Sequence, residues 1–130
     1  MRGAQYLTKR QQFTAVNSQG RPWLSGLVVM KVLPNGLAIS RYGFSVSKRV
    51  GNAVMRNRVK RLMREILRKM PLQPGWDIVV IARPAVAGTR YNDLRSTIEV
   101  LLSRAGLLIS EPESGLTEIK TGSGRPLAAS

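Results

Sequence analysis

The chain has 130 residues, 43% of them hydrophobic, and it carries 21 Lys and Arg against 7 Asp and Glu, a net charge of +14. This length suits one small domain with one core. Because the chain contains no Cys and no His, disulfides, zinc fingers, cysteine nucleophiles and histidine bases are all excluded. An enzyme acting alone would have to use carboxylates and lysine.

The charges divide the chain into two parts. Residues 1–109 hold 19 bases and 4 acids, whereas residues 110–130 hold three of the seven acids and are rich in Ser, Gly, Pro, Glu and Thr. We predict a folded domain over 1–109 and a disordered tail over 110–130. The positive field of the domain attracts polyanions. No apolar run approaches the ~18 residues of a membrane span and no signal peptide is recognised, so we expect a cytoplasmic protein without a membrane partner.

A short first helix is predicted over about residues 9–17. Thr8 and Gln11 have the spacing of a capping box, which satisfies free backbone donors at a helix start. Phe13 and Val16 supply the apolar residues of this helix, and Gly20 follows its end. Phe13 is either a core residue or a residue that stacks on a base, and the sequence leaves both open.

Two strands follow, over about 27–33 and 37–47, separated by the turn sequence Pro34-Asn35-Gly36. We predict that they form an antiparallel pair. The second strand alternates between an apolar face and a flat face of small and polar residues that either receives a single-stranded chain or simply faces solvent. The apolar face comprises Tyr42, Phe44 and Val46, and the flat face comprises Arg41, Gly43, Ser45 and Ser47.

The stretch 44–70 reads as a strand end, a turn and a long helix. Between Lys48 and Lys69 it holds nine Lys or Arg and a single acid, Glu65. On a helical wheel the apolar sector comprises Met55, Val59, Leu62, Met63, Ile66 and Met70, while the opposite side comprises Asn57, Lys60, Arg61, Arg64 and Arg68, with Arg56 and Arg58 at the flanks. Because like charges four residues apart destabilise a helix and guanidinium binds phosphate in bidentate fashion, the pattern favours nucleic acid over a merely solvated face.

Residues 76–82 form a continuous apolar run that predicts a buried central strand. Strand, helix and buried strand together predict a parallel crossover. A final helix over about 91–105 has one apolar face and stops at Gly106.

The run SVSKRVGNAVMRNRVKRLMRE, which contains Arg56-Asn57-Arg58, resembles the RNR signature of the bacterial ribonuclease P protein subunit. The later runs GWDIVVIARP and LLSRAGLL resemble the last strand and last helix of that family, so that the resemblance spans about residues 5–109. It implies a single α+β domain with the order α-β-β-β-α-β-α, a two-layer sandwich. It also implies a left-handed crossover around the RNR helix, whereas general topology rules predict a right-handed one.

The family resemblance also implies a function. The chain would be the RNA-binding protein subunit of a ribonucleoprotein that removes the 5′ leader of precursor tRNA, with one protein bound per catalytic RNA. The RNA, together with Mg²⁺, would carry the catalysis, and the protein alone would be inactive, with no catalytic residues and no metal ligands of its own.

Two sets of site residues are implied by the resemblance. The surface for the catalytic RNA comprises Lys48, Arg49, Arg56, Asn57, Arg58, Lys60, Arg61, Arg64 and Arg68. The cleft for the leader comprises Phe13, Met30, Ser45 and Arg56. The chain departs from its relatives at Asn17 and Met30, where many have aromatics, and because stacking contributes about 1–3 kcal/mol per base we expect weaker leader stacking. It departs again at Arg90, where a Ser or Thr often caps the last helix.

Three other classes compete with this interpretation. A generic RNA-binding module, such as a ribosomal protein or RNA chaperone, would share the charge without needing the RNR run. An unaided nuclease is disfavoured because no arrangement of the acids gathers Mg²⁺. Its candidate carboxylates, Glu65, Asp77, Asp93 and Glu99, fall on different predicted elements. A basic membrane-surface helix is disfavoured because the apolar face is needed by the core.

Overall fold

The computed structural model describes residues 6–109. Its elements are α1 (Arg10–Gln19), β1 (Arg21–Leu24), β2 (Val28–Pro34), β3 (Arg41–Ser45), α2 (Ala53–Arg68), β4 (Trp76–Ala82), a short 3₁₀ turn (Pro84–Val86) and α3 (Tyr91–Arg104). The predicted α+β class and the order α-β-β-β-α-β-α are confirmed. The tail predicted to be disordered, 110–130, lies outside the described residues.

The four strands form one sheet in the order β1-β2-β4-β3. β4 is therefore central, antiparallel to β2 and parallel to β3. The predicted antiparallel pairing of β2 with β3 is wrong, because the apolar β4 inserts between them and pairs on both its edges. The parallel crossover from β3 through α2 to β4 is confirmed, and its left-handed sense stays a prediction.

Helices cover both faces of the sheet. α2 and α3 lie over the larger core, which includes Val28, Met30, Val32, Ile78 and Val80 from the strands. α1 lies over a smaller cluster on the opposite face, built from Leu7, Val16 and Val79 with Phe13, Leu33 and Ile81 around them. The molecule thus has three layers rather than the two predicted, because alternate side chains of β2 and β4 point to opposite faces and both faces are apolar.

α1 begins one residue later than the capping-box pattern predicts. The Oε1 atom of Gln12, not Gln11, accepts from the backbone N–H groups of Thr8 and Lys9 at 2.8 and 3.0 Å. The helix then runs to Gln19. At the start of α3, the side chain of Arg90 makes no capping hydrogen bond, as expected for a residue that replaces a Ser or Thr cap.

A buried carboxylate joins β3 to β4. Asp77 is 6% exposed and accepts two hydrogen bonds from Arg41, from Nε at 2.9 Å and from Nη2 at 2.7 Å. The Nδ2 atom of Asn35 donates to the same carboxylate at 2.9 Å. The hydrogen bond to Asp77 raises the pKa of Arg41. This charged group therefore fixes β3 and the turn after β2 against the first residues of β4.

Candidate nucleic-acid interface

The start of α2 is fixed by two residues that admit few substitutes. The Oδ1 atom of Asn52 accepts from the backbone N–H of Met55 at 2.9 Å, which caps the helix. Gly51 has φ of 155°, and a Cβ there would lie 3.0 Å from the side chain of Met55. Arg56 folds back to donate from Nη1 to the carbonyl of Gly51 at 3.2 Å. The RNR run therefore begins at a rigid point, which sets the direction of the basic side chains.

The helical wheel predicts the orientation of α2 correctly. Val59, Met63 and Ile66 are at most 1% exposed and pack in the larger core. The basic residues and Asn57 lie elsewhere on the helix, and we call them together the α2 ridge. Its members are Arg56, Arg58 and Lys60, which are half-buried, and Asn57, Arg61, Arg64 and Arg68, which are exposed. Lys48 and Arg49 are also exposed, in the turn before α2. All nine residues predicted to form the RNA surface are therefore accessible.

Little of the charge on α2 is neutralised within the described residues. Glu65 lies 3.2 Å from Arg68 and 3.6 Å from Lys69, and it is shared between them. These side chains are 41–58% exposed, so the pairs contribute little stability. Arg61 and Arg64 have no carboxylate within 4.0 Å in residues 6–109. The exposed side of α2 thus presents free guanidinium groups to solvent.

A cleft of about 420 Å³ lies beside the ridge, at the edge of the sheet formed by β3. We call it the edge cleft. It is lined from both sides of β3, by the segment before α1, by α1 itself and by α2. The lining residues are Tyr6, Leu7, Phe13, Tyr42, Gly43, Phe44, Lys60 and Arg64. Aromatic rings and two cations thus meet in one concave surface, a combination that suits stacked bases and their phosphates.

The ring of Phe13 packs so closely on Gly43 that no residue with a Cβ atom could replace this glycine without a shift. A Cβ on Gly43 would lie 2.5 Å from Cζ of Phe13. Phe13 is half-buried, packs against the smaller core and also lines the edge cleft. The two roles that the sequence leaves open, core residue and cleft residue, are therefore both compatible with its position.

Three aromatic rings form a chain along the cleft. Tyr6 meets Tyr42 edge to face at 5.2 Å between centroids, and Tyr42 lies 5.8 Å from Phe44. Tyr6 is held in place by a bridge to Tyr42 and by the N–H of Leu7, which donates to the carbonyl of Tyr42 at 3.0 Å. The Oη atom of Tyr42 is buried and has no hydrogen-bond partner within residues 6–109. Burial, the largest cause, raises the pKa of Tyr42 to about 12, although Arg68 and Arg64 act in the opposite direction.

The four residues predicted for the leader cleft are not gathered in one place. Phe13 lines the edge cleft. Ser45 is exposed at the end of β3, on the same face of the strand as Gly43. Arg56 turns back to the start of α2. The placement of Met30 is wrong, because Met30 is 0% exposed in the larger core, on the sheet face opposite α1. Met30 lies on the same face of β2 as Val28 and Val32, and all three are buried by α2 and α3.

Sequence reasoning missed Tyr6 and Phe44 as cleft residues. The alternation of β3 assigned Phe44 to the core, and Tyr6 precedes every predicted element. β3 is an edge strand, so its apolar face remains partly open beyond the cover of α2. A signal was available in the aromatic residues, since the edge cleft gathers four of the five Tyr and Phe in the chain. Its meaning depends on strand order, which local patterns do not reveal.

Residues 6–109 contain neither a cluster of three metal-ligating side chains nor a helix that could span a membrane. No group of three or more acidic residues there lies close enough to hold a metal ion. No helix in the same range is long and apolar enough to cross a membrane.

Comparison with known proteins identifies the class. The family model of Ribonuclease P matches residues 1–106. The Ribonuclease P protein component of Dehalococcoides mccartyi strain CBDB1 is 44% identical over 121 residues, which cover 93% of this chain and 99% of that protein. The component from Roseiflexus castenholzii is 41% identical over 111 residues, 83% of this chain and 91% of that protein. The chain belongs to the ribonuclease P protein family.

Solved structures agree with this assignment. A mutant RNase P protein from Staphylococcus aureus superposes with a TM-score of 0.76 at 31% identity, covering 83% of this chain and 93% of that one. The RNase P protein from Thermotoga maritima superposes with a TM-score of 0.71 at 30% identity, covering 76% and 96%. The small α+β domain of this chain is therefore the fold of bacterial RNase P proteins.

Proposed function

We propose that the chain binds the catalytic RNA of ribonuclease P through the α2 ridge and the turn before it, and that the complex removes the 5′ leader of precursor tRNA. One observation supports this most strongly: α2 places six cations and one acid on a helix whose other side is buried core. Folding requires only the apolar side. The charge is therefore available for a polyanion, and membership of the family indicates which one.

The chemistry of the ridge suits an RNA backbone. Each guanidinium offers a planar set of donors that matches phosphate oxygens, and the exposed members lie on successive turns of α2, spaced about 5 Å apart along the axis. A rigid row of this kind contacts phosphates along a folded RNA without reading its bases. We expect one protein per catalytic RNA and a cytoplasmic location.

We propose that the edge cleft receives the leader. Phe13, Tyr6 and Phe44 offer ring surfaces, while Lys60 and Arg64 offer charge to the adjoining phosphates. Asn17 is exposed outside the cleft lining, and weaker stacking there stays a prediction. Ser45 also lies beyond the lining and remains a predicted leader contact.

We assign the cleavage chemistry to the RNA with its Mg²⁺. The protein supplies binding and charge neutralisation: it lacks Cys and His altogether, and its described carboxylates do not gather. Neutralising phosphate repulsion lowers the Mg²⁺ that a large RNA and its substrate need for close approach.

The test is reconstitution. The protein is added to a bacterial ribonuclease P RNA at low Mg²⁺, and removal of the 5′ leader from precursor tRNA is followed. We expect cleavage to rise with protein and protein alone to cut nothing. Absence of stimulation at any Mg²⁺ concentration, or leader removal by RNA-free protein, would refute the proposal.

The leader assignment has a separate test in Phe13→Ala. In the reconstituted complex we expect affinity for precursor tRNA to fall by about 1–3 kcal/mol, with mature tRNA bound as before. Because Phe13 also packs in the smaller core, the stability of the variant is measured by thermal unfolding in parallel. Phe13→Leu, which retains apolar contact but removes the aromatic face, is the matched control for packing. Equal reductions in affinity for both tRNAs would restrict Phe13 to a core role.

A further inference from the structure

The described part of the chain ends beside the C-terminal end of α2. The N–H of Ile109 donates to the carbonyl of Pro71 at 2.7 Å, and Leu108 pairs with Leu72 in an antiparallel bridge. Pro71 lies three positions after the last residue of α2, Arg68. The described chain therefore ends against the segment that follows α2, three residues beyond Arg68 at the C-terminal end of the ridge.

A groove of about 220 Å³ opens at the same place. Its lining combines apolar side chains of Ile39, Leu67, Met70 and Leu72 with the guanidinium of Arg68. Within residues 6–109, no part of the chain covers the outer side of Ile39, which is 39% exposed. The groove thus suits a segment with both acidic and apolar side chains.

The next residues of the chain have that chemistry. Residues 110–119 read SEPESGLTEI and contain three acids, two large apolar residues and no base. Residues 60–69, by contrast, carry five cations and one acid, a net charge of +4. Because Glu65 is already shared by Arg68 and Lys69, most of the unneutralised charge belongs to Lys60, Arg61 and Arg64.

The distances permit contact along the whole C-terminal half of α2. The rise from Lys60 to Arg68 is about 12 Å. An extended chain advances about 3.3 Å per residue, so Glu111 reaches about 7 Å beyond Ile109 and Glu118 about 30 Å. The segment is therefore long enough to run along the ridge from Arg68 to Lys60.

We propose that residues 110–119 dock on the groove and on the ridge between Lys60 and Arg68, as an intramolecular counter-charge that RNA must displace. A tethered segment acts at millimolar effective concentration, which is sufficient for weak charge contacts to persist. An RNA that engages the whole ridge displaces the segment, whereas an RNA that makes only a few contacts does not. The segment thus raises selectivity for the cognate RNA; this consequence, unlike the docking itself, rests on the proposed function of the ridge.

Docking is tested without RNA by paramagnetic relaxation in the full chain. Since the protein has no Cys, a nitroxide on Ser114→Cys labels a single position inside the segment. We expect amide signals of residues 60–69 and of Ile39 to broaden at low salt. The broadening should disappear at about 1 M salt, where the Debye length falls to about 3 Å. The matched variant adds Glu111→Gln, Glu113→Gln and Glu118→Gln and should show no broadening while the spectrum of the domain stays unchanged.

Two outcomes would overturn the docking: broadening confined to residues next to Ile109, or equal broadening around exposed cations elsewhere, such as Arg83 and Arg95. The competition is tested next, with a short non-cognate duplex RNA. We expect the triple Gln variant to bind it about three- to tenfold more tightly, and Lys120→Gln with Arg125→Gln, which alters the tail outside the segment, to show no such gain. Docking observed without this gain would refute the competition and leave the docking intact. Failure of the wild-type protein to bind any RNA would instead count against the proposed function.

Discussion

α2 and α3 pack on the sheet in the same way, but the charges on their exposed sides differ. Both lie on the same face of the sheet, and both bury residues completely, among them Ile66 in α2 and Ile98 in α3. The exposed side of α3 is balanced, with two bases and two acids, and it places Asp93 in the first turn and Arg104 in the last, where each favours the helix dipole. Arg95 and Glu99 approach to 3.5 Å.

The exposed side of α2 follows this pattern only at its C-terminal end, where Arg68 lies in the last turn and pairs with Glu65. Its first turn has no acid, and the helix carries six bases and a single acid. Because α3 shows what folding on this sheet face requires, the excess positive charge on α2 is not needed for folding, and this is the charge that we propose for RNA binding. Substitutions in the buried sides of the two helices should therefore have similar effects, and substitutions in their exposed sides should not.

The largest effect is expected in the core that the two helices share. Ile66→Ala and Ile98→Ala should each lower the free energy of unfolding by about 2–5 kcal/mol, because each leaves a cavity in a closely packed region. Urea denaturation measures both. A decrease below about 1 kcal/mol for either one would show that the two helices do not carry equal packing roles.

A smaller effect is expected from charge, and only on one helix. Replacing Arg61 and Arg64 by Gln should lower the slope of log affinity against log salt for catalytic RNA by about 1.4–1.8, since each phosphate that the protein neutralises accounts for about 0.7–0.9 of that slope. The free energy of unfolding should stay within about 0.5 kcal/mol of the wild-type value.

The matched control replaces Arg95 and Arg104 on α3 by Gln, with the same change in net charge. We expect its salt slope to equal that of the wild type. If the slope falls equally in the two double variants, RNA binding follows total charge rather than the α2 ridge, and the contrast between the helices has no functional meaning.

The smallest effect concerns Tyr42, which lies beside Arg64 and Arg68 of α2. Its Oη is buried without a partner in the described residues, so Tyr42→Phe should change stability by no more than about 1 kcal/mol at neutral pH, towards greater stability. The pKa of Tyr42 is raised to about 12 from 10.0, and the folded protein therefore holds this proton more tightly than the unfolded chain does. The contribution of this proton to the free energy of unfolding is complete below pH 10 and disappears as the pH rises to 12.

The melting temperature of the wild type should thus fall more steeply between pH 10 and 12 than that of Tyr42→Phe. Comparison of the two proteins removes the titration of lysines, which is common to both. Parallel pH profiles would show that Tyr42 ionises freely in the folded protein.

Much of the fold could be predicted because its signals are local. The apolar sector of α2 and the continuous apolar run of β4 each identify an element without knowledge of the others. Strand order could not be predicted this way. The turn at 34–36 suggests a hairpin, but Asn35 instead bonds to Gly75 and Asp77, 40 or more residues later, which leaves room for β4.

The candidate site likewise has one part that local sequence patterns predict and one part that they do not. The ridge follows from helical periodicity, and the sequence predicts all of its members. The edge cleft follows from tertiary arrangement: it requires β3 at the sheet edge, Tyr6 beside it and Phe13 on the other face over Gly43. The expectation for Met30 failed for a related reason. The sequence shows which residues of a strand share a face, but it does not show which helix covers that face.

The central position of β4 also constrains the order in which the molecule can form. When β1, β2, β3 and α2 have been synthesised, only β1 and β2 can pair, because β2 and β3 both require β4 as neighbour. The parallel contact of Arg41 with Asp77 closes a loop that contains all of α2, and such non-local contacts form slowly. We therefore expect α2 to gain its final orientation late, once synthesis has passed Ala82. Until then Met63 and Ile66 remain uncovered.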